Sequence, residues 1–135
     1  MRFELVSPER RLASEDVRAV RIPGADGDLT AMDGHTPVIT TLRPGVLTIE
    51  TEGGEKSFAV TGGFAEIGAE ETTVLAERAL PTEEVTQDTY DDWVADARKA
   101  REEASEGGVD SAVKVVEDMV AMGGHIGLDP NQANL

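Results

Sequence analysis

The 135-residue chain has no cysteine, two histidines, one tryptophan, one tyrosine and three phenylalanines. Without cysteine it forms neither disulfides nor thiolate metal sites. The histidines, His35 and His125, are far apart in sequence, and neither sits in an HxH or HExxH pattern of a metal site. No apolar run approaches the roughly 20 residues that span a bilayer. The opening segment, Met1 to Pro8, lacks the apolar stretch that a secretory signal carries after its basic residue. A cytosolic chain without direct membrane insertion is expected. Basic residues are scarce too, 12 Lys and Arg against 27 Asp and Glu, for a net charge of −15. Nucleic acids and anionic lipid surfaces are polyanions, so this charge argues against binding either.

Hydrophobic residues make up 39% of the chain, enough for one packed core or one core with an appendage. The charge is uneven. Met1–Leu80 carries 8 basic and 14 acidic residues, a net −6, while Pro81–Leu135 carries 4 and 13, a net −9 on fewer residues. The more acidic second part points to a separate unit.

Turn signals punctuate the first 80 residues at Pro23-Gly24-Ala25-Asp26-Gly27-Asp28, Asp33-Gly34, Arg43-Pro44-Gly45, Gly53-Gly54 and Gly62-Gly63. Between them lie short β-favouring runs: Phe3–Val6, Val17–Ile22, Val38–Leu42, Val46–Thr51, Ser57–Thr61, Phe64–Ile67 and Thr72–Ala76. Leu47 and Ile49 alternate with Thr48 and Glu50, and Phe58 and Val60 with Ser57, Ala59 and Thr61. A period of two predicts strands with one buried face. Many short strands at this spacing predict a sandwich or barrel, not a parallel α/β sheet.

After Pro81 the period changes. Tyr90, Trp93, Val94, Ala97, Ala100 and Ala104 form one stripe of a helix. Thr86 is its expected N-cap, Asp88, Asp91 and Asp92 suit the positive end of its dipole, and Arg98, Lys99 and Arg101 lie toward the other end. Glu106-Gly107-Gly108 breaks the pattern. Val109, Ala112, Val113, Val116, Met119 and Val120 make a second stripe, with Asp110 as candidate cap and Gly123-Gly124 as its expected end. The short break predicts an antiparallel helical hairpin. His125–Leu135 reads as irregular. The expected architecture is mainly β with an α tail, a β-sandwich head over residues 1–82 followed by a two-helix hairpin and irregular tail over 83–135.

Little in this sequence supports catalysis. The stretch Gly24 to Asp28 has neither GxxxxGK[ST] nor the following acid of an EF-hand, so a turn is the simpler reading. Gly62-Gly63 precedes no helix pattern and makes a poor phosphate loop. Carboxylates abound, but nothing singles out an acid/base pair. Trp93, in a helical stripe, reads as core.

Several of these segments together resemble a family. Pro23-Gly24-Ala25-Asp26-Gly27-Asp28-Leu29, followed by Gly34-His35-Thr36-Pro37, is similar to a G-x-x-G-[ED]-L turn that leads to G-H-x-P. Thr40-Thr41-Leu42-Arg43-Pro44-Gly45 resembles T-x-L-x-P-G. Gly62-Gly63-Phe64-Ala65-Glu66-Ile67 and Thr73-Val74-Leu75-Ala76-Glu77 resemble G-G-[FI]-x-E-[VI] and V-T-V-L-A-[DE]. In this order, over residues 3–80, they resemble the epsilon subunit of the F-type ATP synthase, called delta in mitochondria. The ending, His125 to Asn131, is similar to alphaproteobacterial members.

The resemblance implies a β-sandwich with a helical hairpin, in agreement with the periodicities. It also implies a non-catalytic central-stalk part, peripheral on the cytoplasmic face of the bacterial inner membrane, with no cofactor. Such a part docks gamma onto the c-ring and couples proton flow to ATP synthesis; its tail is a possible route to the αβ hexamer. By the same resemblance Asp28, with Leu29, faces the c-ring, and His35, with Thr36, faces gamma, as does Ser7 after the first strand. One departure stands out. Members that bind ATP carry [IL]-D-x-x-R-A at the start of the first helix; here the stretch is Val85-Thr86-Gln87-Asp88-Thr89-Tyr90, with Thr86 and Thr89 in place of the Asp and Arg. The charge that pairs with phosphate is missing. A tail of net −9 is also a poor match for inhibitory insertion against acidic catalytic subunits. Two other functions compete with the stalk reading: a free-standing regulatory nucleotide-binding module, and a small carboxylate-dependent enzyme with a β-sandwich head.

Overall fold

The computed structural model describes residues 1–104 and 108–129. The chain separates into two compact units, Met1–Thr82 and Glu83–Leu135.

The first unit is a β-sandwich of ten strands. These are β1 Arg2–Val6, β2 Arg11–Asp16, β3 Ala19–Gly24, β4 Gly27–Ala31, β5 Val38–Leu42, β6 Gly45–Thr51, β7 Gly54–Val60, β8 Gly63–Ile67, β9 Glu71–Ala76 and β10 Ala79–Pro81. They form one hydrogen-bonded path, β10-β7-β6-β3-β5-β8-β9-β1-β2, with β4 added to β3. The path folds over, so that β10 and β2 at its two ends approach each other. Every pairing is antiparallel except β1–β9. The inner faces supply the core: Phe3 and Leu5 from β1, Val20 and Ile22 from β3, Leu47 and Ile49 from β6, Ile67 and Val74 from β8 and β9. Their alternation with polar neighbours makes one face apolar, and burying that face drives the sheet to close on itself. The alternation loosens in β7, where Ala59 is buried along with Phe58 and Val60.

At the start of β8 the strands come too close for a side chain. Gly63 has φ +120°, and a Cβ there would lie 1.9 Å from the Leu75 carbonyl oxygen of β9. Only glycine adopts this backbone and admits this approach.

Two strands carry weak signals in the sequence, and one turn is shorter than it reads. The β2 segment Arg-Leu-Ala-Ser-Glu-Asp is mostly polar and buries only Ala13 fully; its pairing with β1, not its propensity, makes it a strand. The three-residue β10 is held by pairing with β7. The Pro23–Asp28 turn is shorter than its composition predicts. Pro23 and Gly24 end β3, Gly27 and Asp28 begin β4, and Ala25-Asp26 alone makes the loop, because Pro23↔Asp28 and Gly24↔Gly27 are already paired. Likewise the Val17–Ile22 run enters its strand only at Ala19.

The second unit holds two helices, α1 Gln87–Glu103 and α2 Val109–His125, after a 3₁₀ turn at Thr82–Glu84. They run antiparallel, with Tyr90 near the start of α1 bonded to Met119 near the end of α2. Thr86 caps α1 as its sequence predicts, its hydroxyl accepting from the Thr89 N–H at 3.1 Å. Val85 just before the cap and Tyr90 in the first turn are both buried, the arrangement of a hydrophobic staple. Tyr90, Trp93, Val94 and Ala97 form the buried stripe of α1, while Ala100 is exposed. On α2 the buried positions are Val116, Met119, Met122 and Gly123, and Val109 is exposed.

Two sequence-based expectations for α2 are corrected. Asp110 lies inside the first turn and does not cap; Gly108 is the N-cap residue and offers no side chain. Gly123-Gly124 does not end the helix, which runs on to His125. Gly127, at φ +82°, ends it: Leu128 N–H bonds the Gly123 carbonyl at 2.7 Å and Gly127 N–H the Gly124 carbonyl at 3.3 Å, closing a Schellman motif. His125 is therefore helical; Pro130 to Leu135 and the break at Ser105 to Gly107 lie outside the described residues.

Candidate docking surface

The sequence-predicted residues lie on three segments of the sandwich. Asp28 stands at the start of β4, beside the two-residue turn, and its side chain is 76% exposed. It forms an ion pair with Arg43, whose guanidinium also donates to the Gly24 carbonyl at 2.6 Å. Leu29, next along β4, is half-buried and packs on the core. His35 and Thr36 follow the other end of β4, so the strand separates them from Asp28. His35 is half-buried; its N–H donates to the Met32 carbonyl at 3.1 Å, and its Nδ1 lies 2.6 Å from the Thr36 carbonyl oxygen. The loop is anchored where Gly34 N–H donates to the Ala69 carbonyl at 2.8 Å. Ser7 follows β1 and is buried. Its N–H donates to the Arg10 carbonyl at 2.9 Å, and its Oγ accepts from the Arg10 N–H at 3.4 Å, closing the turn into β2.

Strand register shows what lies between Ser7 and the His35 loop. Thr41, Phe64, Leu75 and Val6 form one cross-strand row over β5, β8, β9 and β1, and Ile39, Glu66, Thr73 and Glu4 form the next. Paired residues share a face. This is the outer face, because the intervening Ala65, Ile67, Val74 and Leu5 are core. Ser7 follows the strand end of the first row, and His35 and Thr36 precede β5 at the opposite end. The face is unusually apolar for a solvent side. Ile39 is 71% exposed, Phe64 56% and Leu75 55%. Pro37, Val38, Ile39, Glu66, Gly68 and Glu71 line a shallow groove at its β5 end. Clusters of exposed large apolar side chains mark interaction surfaces.

Sequence reasoning missed Ile39, Phe64 and Leu75 as surface residues. Their signal is an excess of apolar residues over strict alternation: Val38-Ile39, Phe64-Ala65 and Val74-Leu75-Ala76 put apolar groups on both faces of their strands.

At the two positions where the motif of ATP-binding members has Asp and Arg, the Thr86 hydroxyl donates to the Thr89 hydroxyl at 3.0 Å while accepting that residue's N–H. Both threonines serve the helix start. Gln87 bonds Asp91 at 2.9 Å and also the Asp129 carbonyl, joining α1 to the chain beyond α2. The Tyr90 hydroxyl is raised above its ordinary pKa by burial first, then by Asp129 and Asp91, against a lowering by Arg98. Among the described residues no group of three His, Asp or Glu is placed to hold a metal, and no helix is long and apolar enough to cross a membrane.

The family model of the ATP synthase delta/epsilon chain β-sandwich domain matches residues 1–82. The chain belongs to the ATP synthase delta/epsilon family. The chain is 57% identical to the ATP synthase epsilon chain of Paracoccus denitrificans, over 99% of this chain and 95% of that one. It is 52% identical to the epsilon chain of Rhodobacter capsulatus, over 95% and 97%. Members of the same fold occur in solved mitochondrial assemblies. One is a chain in the OSCP/F1/c-ring structure of the Euglena gracilis enzyme, with TM-score 0.63, 24% identity, and coverage of 87% of this chain and 75% of that one. Another is a chain in the central stalk/c-ring structure from Tetrahymena thermophila, with TM-score 0.60 and 16% identity, over 90% and 91%. These family relations extend through the helical unit, since the Paracoccus and Rhodobacter matches run nearly the full length.

Proposed function

We propose that this chain is a non-catalytic central-stalk subunit of an F-type ATP synthase, docking gamma onto the c-ring so that proton flow drives ATP synthesis. Such a subunit sits peripherally on the cytoplasmic face of the inner membrane. One observation carries the reading: the outer face of β5, β8, β9 and β1 exposes Ile39, Phe64 and Leu75 in a cluster. Burying a large apolar side chain is worth about 1.5–3 kcal/mol, so three clustered ones supply a docking energy that a free-standing module forgoes.

In this reading gamma covers that face, with Ser7 and the His35-Thr36 loop at its two ends. Ser7 contributes by shaping the β1–β2 turn, since its hydroxyl is engaged there. Asp28 and Leu29 belong to a second contact, with the c-ring: the acid meets basic loop side chains, and Leu29 supports its strand from beneath. The head, residues 1–82, is an independent folding unit, supported by its separate core. A chain ending near Glu84 then keeps cooperative thermal unfolding and β-type circular dichroism.

The decisive experiment is reconstitution. Phe64→Glu puts a charge in the apolar face without touching the core, and co-purification of the chain with gamma should fall by more than tenfold while the melting temperature holds. Undiminished recovery with gamma would remove the basis of the reading. Asp28→Lys should lower proton-driven synthesis more than hydrolysis by the detached soluble sector; an unchanged ratio would remove the c-ring contact.

A further inference from the structure

We propose that Arg43 is a positioning residue that fixes Asp28 at the edge of the sandwich, ready for a cation borne by the docking partner. The inference rests on the reading of the Asp28 turn as a contact with the c-ring.

Arg43 follows β5, across from the β3–β4 hairpin, and four contacts tie the two together. Its backbone N–H donates to the Pro23 carbonyl at 3.0 Å, and Ala25 N–H donates to the Thr41 carbonyl at 2.8 Å. Its guanidinium donates through Nη1 to the Gly24 carbonyl at 2.6 Å and through Nη2 to Asp28 Oδ1. The hairpin has little freedom to yield: a Cβ on Gly24 would lie 2.6 Å from the Gly27 carbonyl oxygen, and one on Gly45 would lie 2.8 Å from the Pro23 ring.

The exposures of the pair are unequal. The Arg43 side chain is 26% exposed and Asp28 76%. A half-buried cation thus holds an exposed anion against a rigid support. Exposed ion pairs of this kind add little to folding stability, so stability does not account for the arrangement. Geometry does. A guanidinium is a planar fork whose nitrogens donate in fixed directions, and here one prong is set by a backbone carbonyl while the other aims the carboxylate. A carboxylate has about four lone-pair sites, so one bond from Arg43 leaves capacity for a second donor. With Asp26 and Asp28 against Arg43, the turn still carries one net negative charge, and an incoming lysine or arginine meets attraction at a carboxylate already held in place.

The test is a double-mutant cycle in the assembled synthase with Arg43→Gln, Asp28→Asn and both together. The readout is the ratio of proton-driven synthesis to hydrolysis. Each single change should lower the ratio about threefold or more, and Arg43→Gln should add almost nothing in the Asp28→Asn background, because it acts through Asp28. Arg43→Lys keeps the charge but loses the fork and should restore only part of the ratio. Equal losses from Arg43→Gln in both backgrounds would overturn the proposal. Amide exchange on the full isolated chain is independent of docking: Arg43→Gln should speed exchange at residues 25–28 at least threefold with the melting temperature held. Unchanged exchange there would overturn the positioning role alone. An Asp28→Asn synthase with a normal ratio would overturn the docking reading of the turn, and the inference with it.

Discussion

The sandwich and the helical hairpin are stabilised in different ways. In the sandwich more than a dozen fully or nearly buried side chains, drawn from all ten strands, form one core, and each inner strand is paired on both sides. In the hairpin a short list of residues carries the contact: Tyr90, Trp93, Val94 and Ala97 on one helix, Val116, Met119, Met122 and Gly123 on the other. Stability in the first is spread over many redundant contacts. In the second it depends on a few close fits, so it is the more easily opened by a local change.

The largest expected effect tests the head at its tightest point. Gly63→Ala places a Cβ within 1.9 Å of the Leu75 carbonyl in a backbone that L residues avoid. The β8–β9 ladder must then separate locally, at a cost of about 4 kcal/mol or more, a large part of the 5–15 kcal/mol of a typical domain. Denaturant unfolding of the full chain should show it as a shift in the β-sheet transition. A loss below about 1 kcal/mol would mean the strands separate without strain, and the head would be the softer unit.

The hairpin's counterpart is Gly123→Ala. A Cβ there would fall 2.1 Å from the Tyr90 hydroxyl, at the end of a buried ring. Overpacking of this kind costs about 1–3 kcal/mol, and the loss should appear in the helical signal at 222 nm while the β transition is unchanged. Equal shifts in both signals would show that the two units unfold together, and the comparison above would fail.

This position also shows where sequence reading reaches its limit. Gly123-Gly124 reads as a helix end, because glycine is both a poor helix former and a common stop. In the fold Gly123 is the hole that receives the Tyr90 ring, and Gly127 makes the stop; only the partner helix distinguishes the two roles. The same limit applies to β2 and β10, which are strands through pairing and carry little propensity of their own. By contrast Leu47-Thr48-Ile49-Glu50 and the Tyr90–Ala97 stripe are legible because burial follows a period visible in the chain itself. For the candidate surface, Asp28, Ser7 and His35 come from motif resemblance, whereas the exposed apolar row follows from strand register, which one sequence does not display.

A smaller effect is expected at the start of α1. Thr86→Ala removes the acceptor for the Thr89 N–H and the partner of the Thr89 hydroxyl. Loss of an N-cap costs about 1 kcal/mol. The helical transition should move to slightly lower denaturant, and Thr86→Ser should restore it. If Thr86→Ala shifts the β transition instead, the cap supports more than its own helix.

The smallest effect is a pH dependence confined to the hairpin. Burial, reinforced by Asp129 and Asp91, raises the Tyr90 pKa in the folded state above its ordinary value of 10.0. The folded chain therefore keeps the phenolic proton at a pH where the unfolded chain has begun to release it. The unfolded state binds fewer protons in that range, so stability falls as pH rises. The contribution is fully present below pH 10 and is lost as pH climbs through the folded-state value. In the same step the hydroxyl loses its ability to donate to the Met119 carbonyl at 3.2 Å. The alkaline profile of one protein does not by itself isolate the tyrosine. The difference between the natural chain and Tyr90→Phe does. Phenylalanine keeps the ring and removes both the titration and the donor. Below pH 10 the variant should be slightly less stable in its helical transition, and above pH 10 the gap should close and reverse. A gap that stays constant from neutral pH to about pH 12 would show that the hydroxyl is solvated in the folded hairpin, and that the Tyr90–Gly123 fit is looser than its geometry indicates.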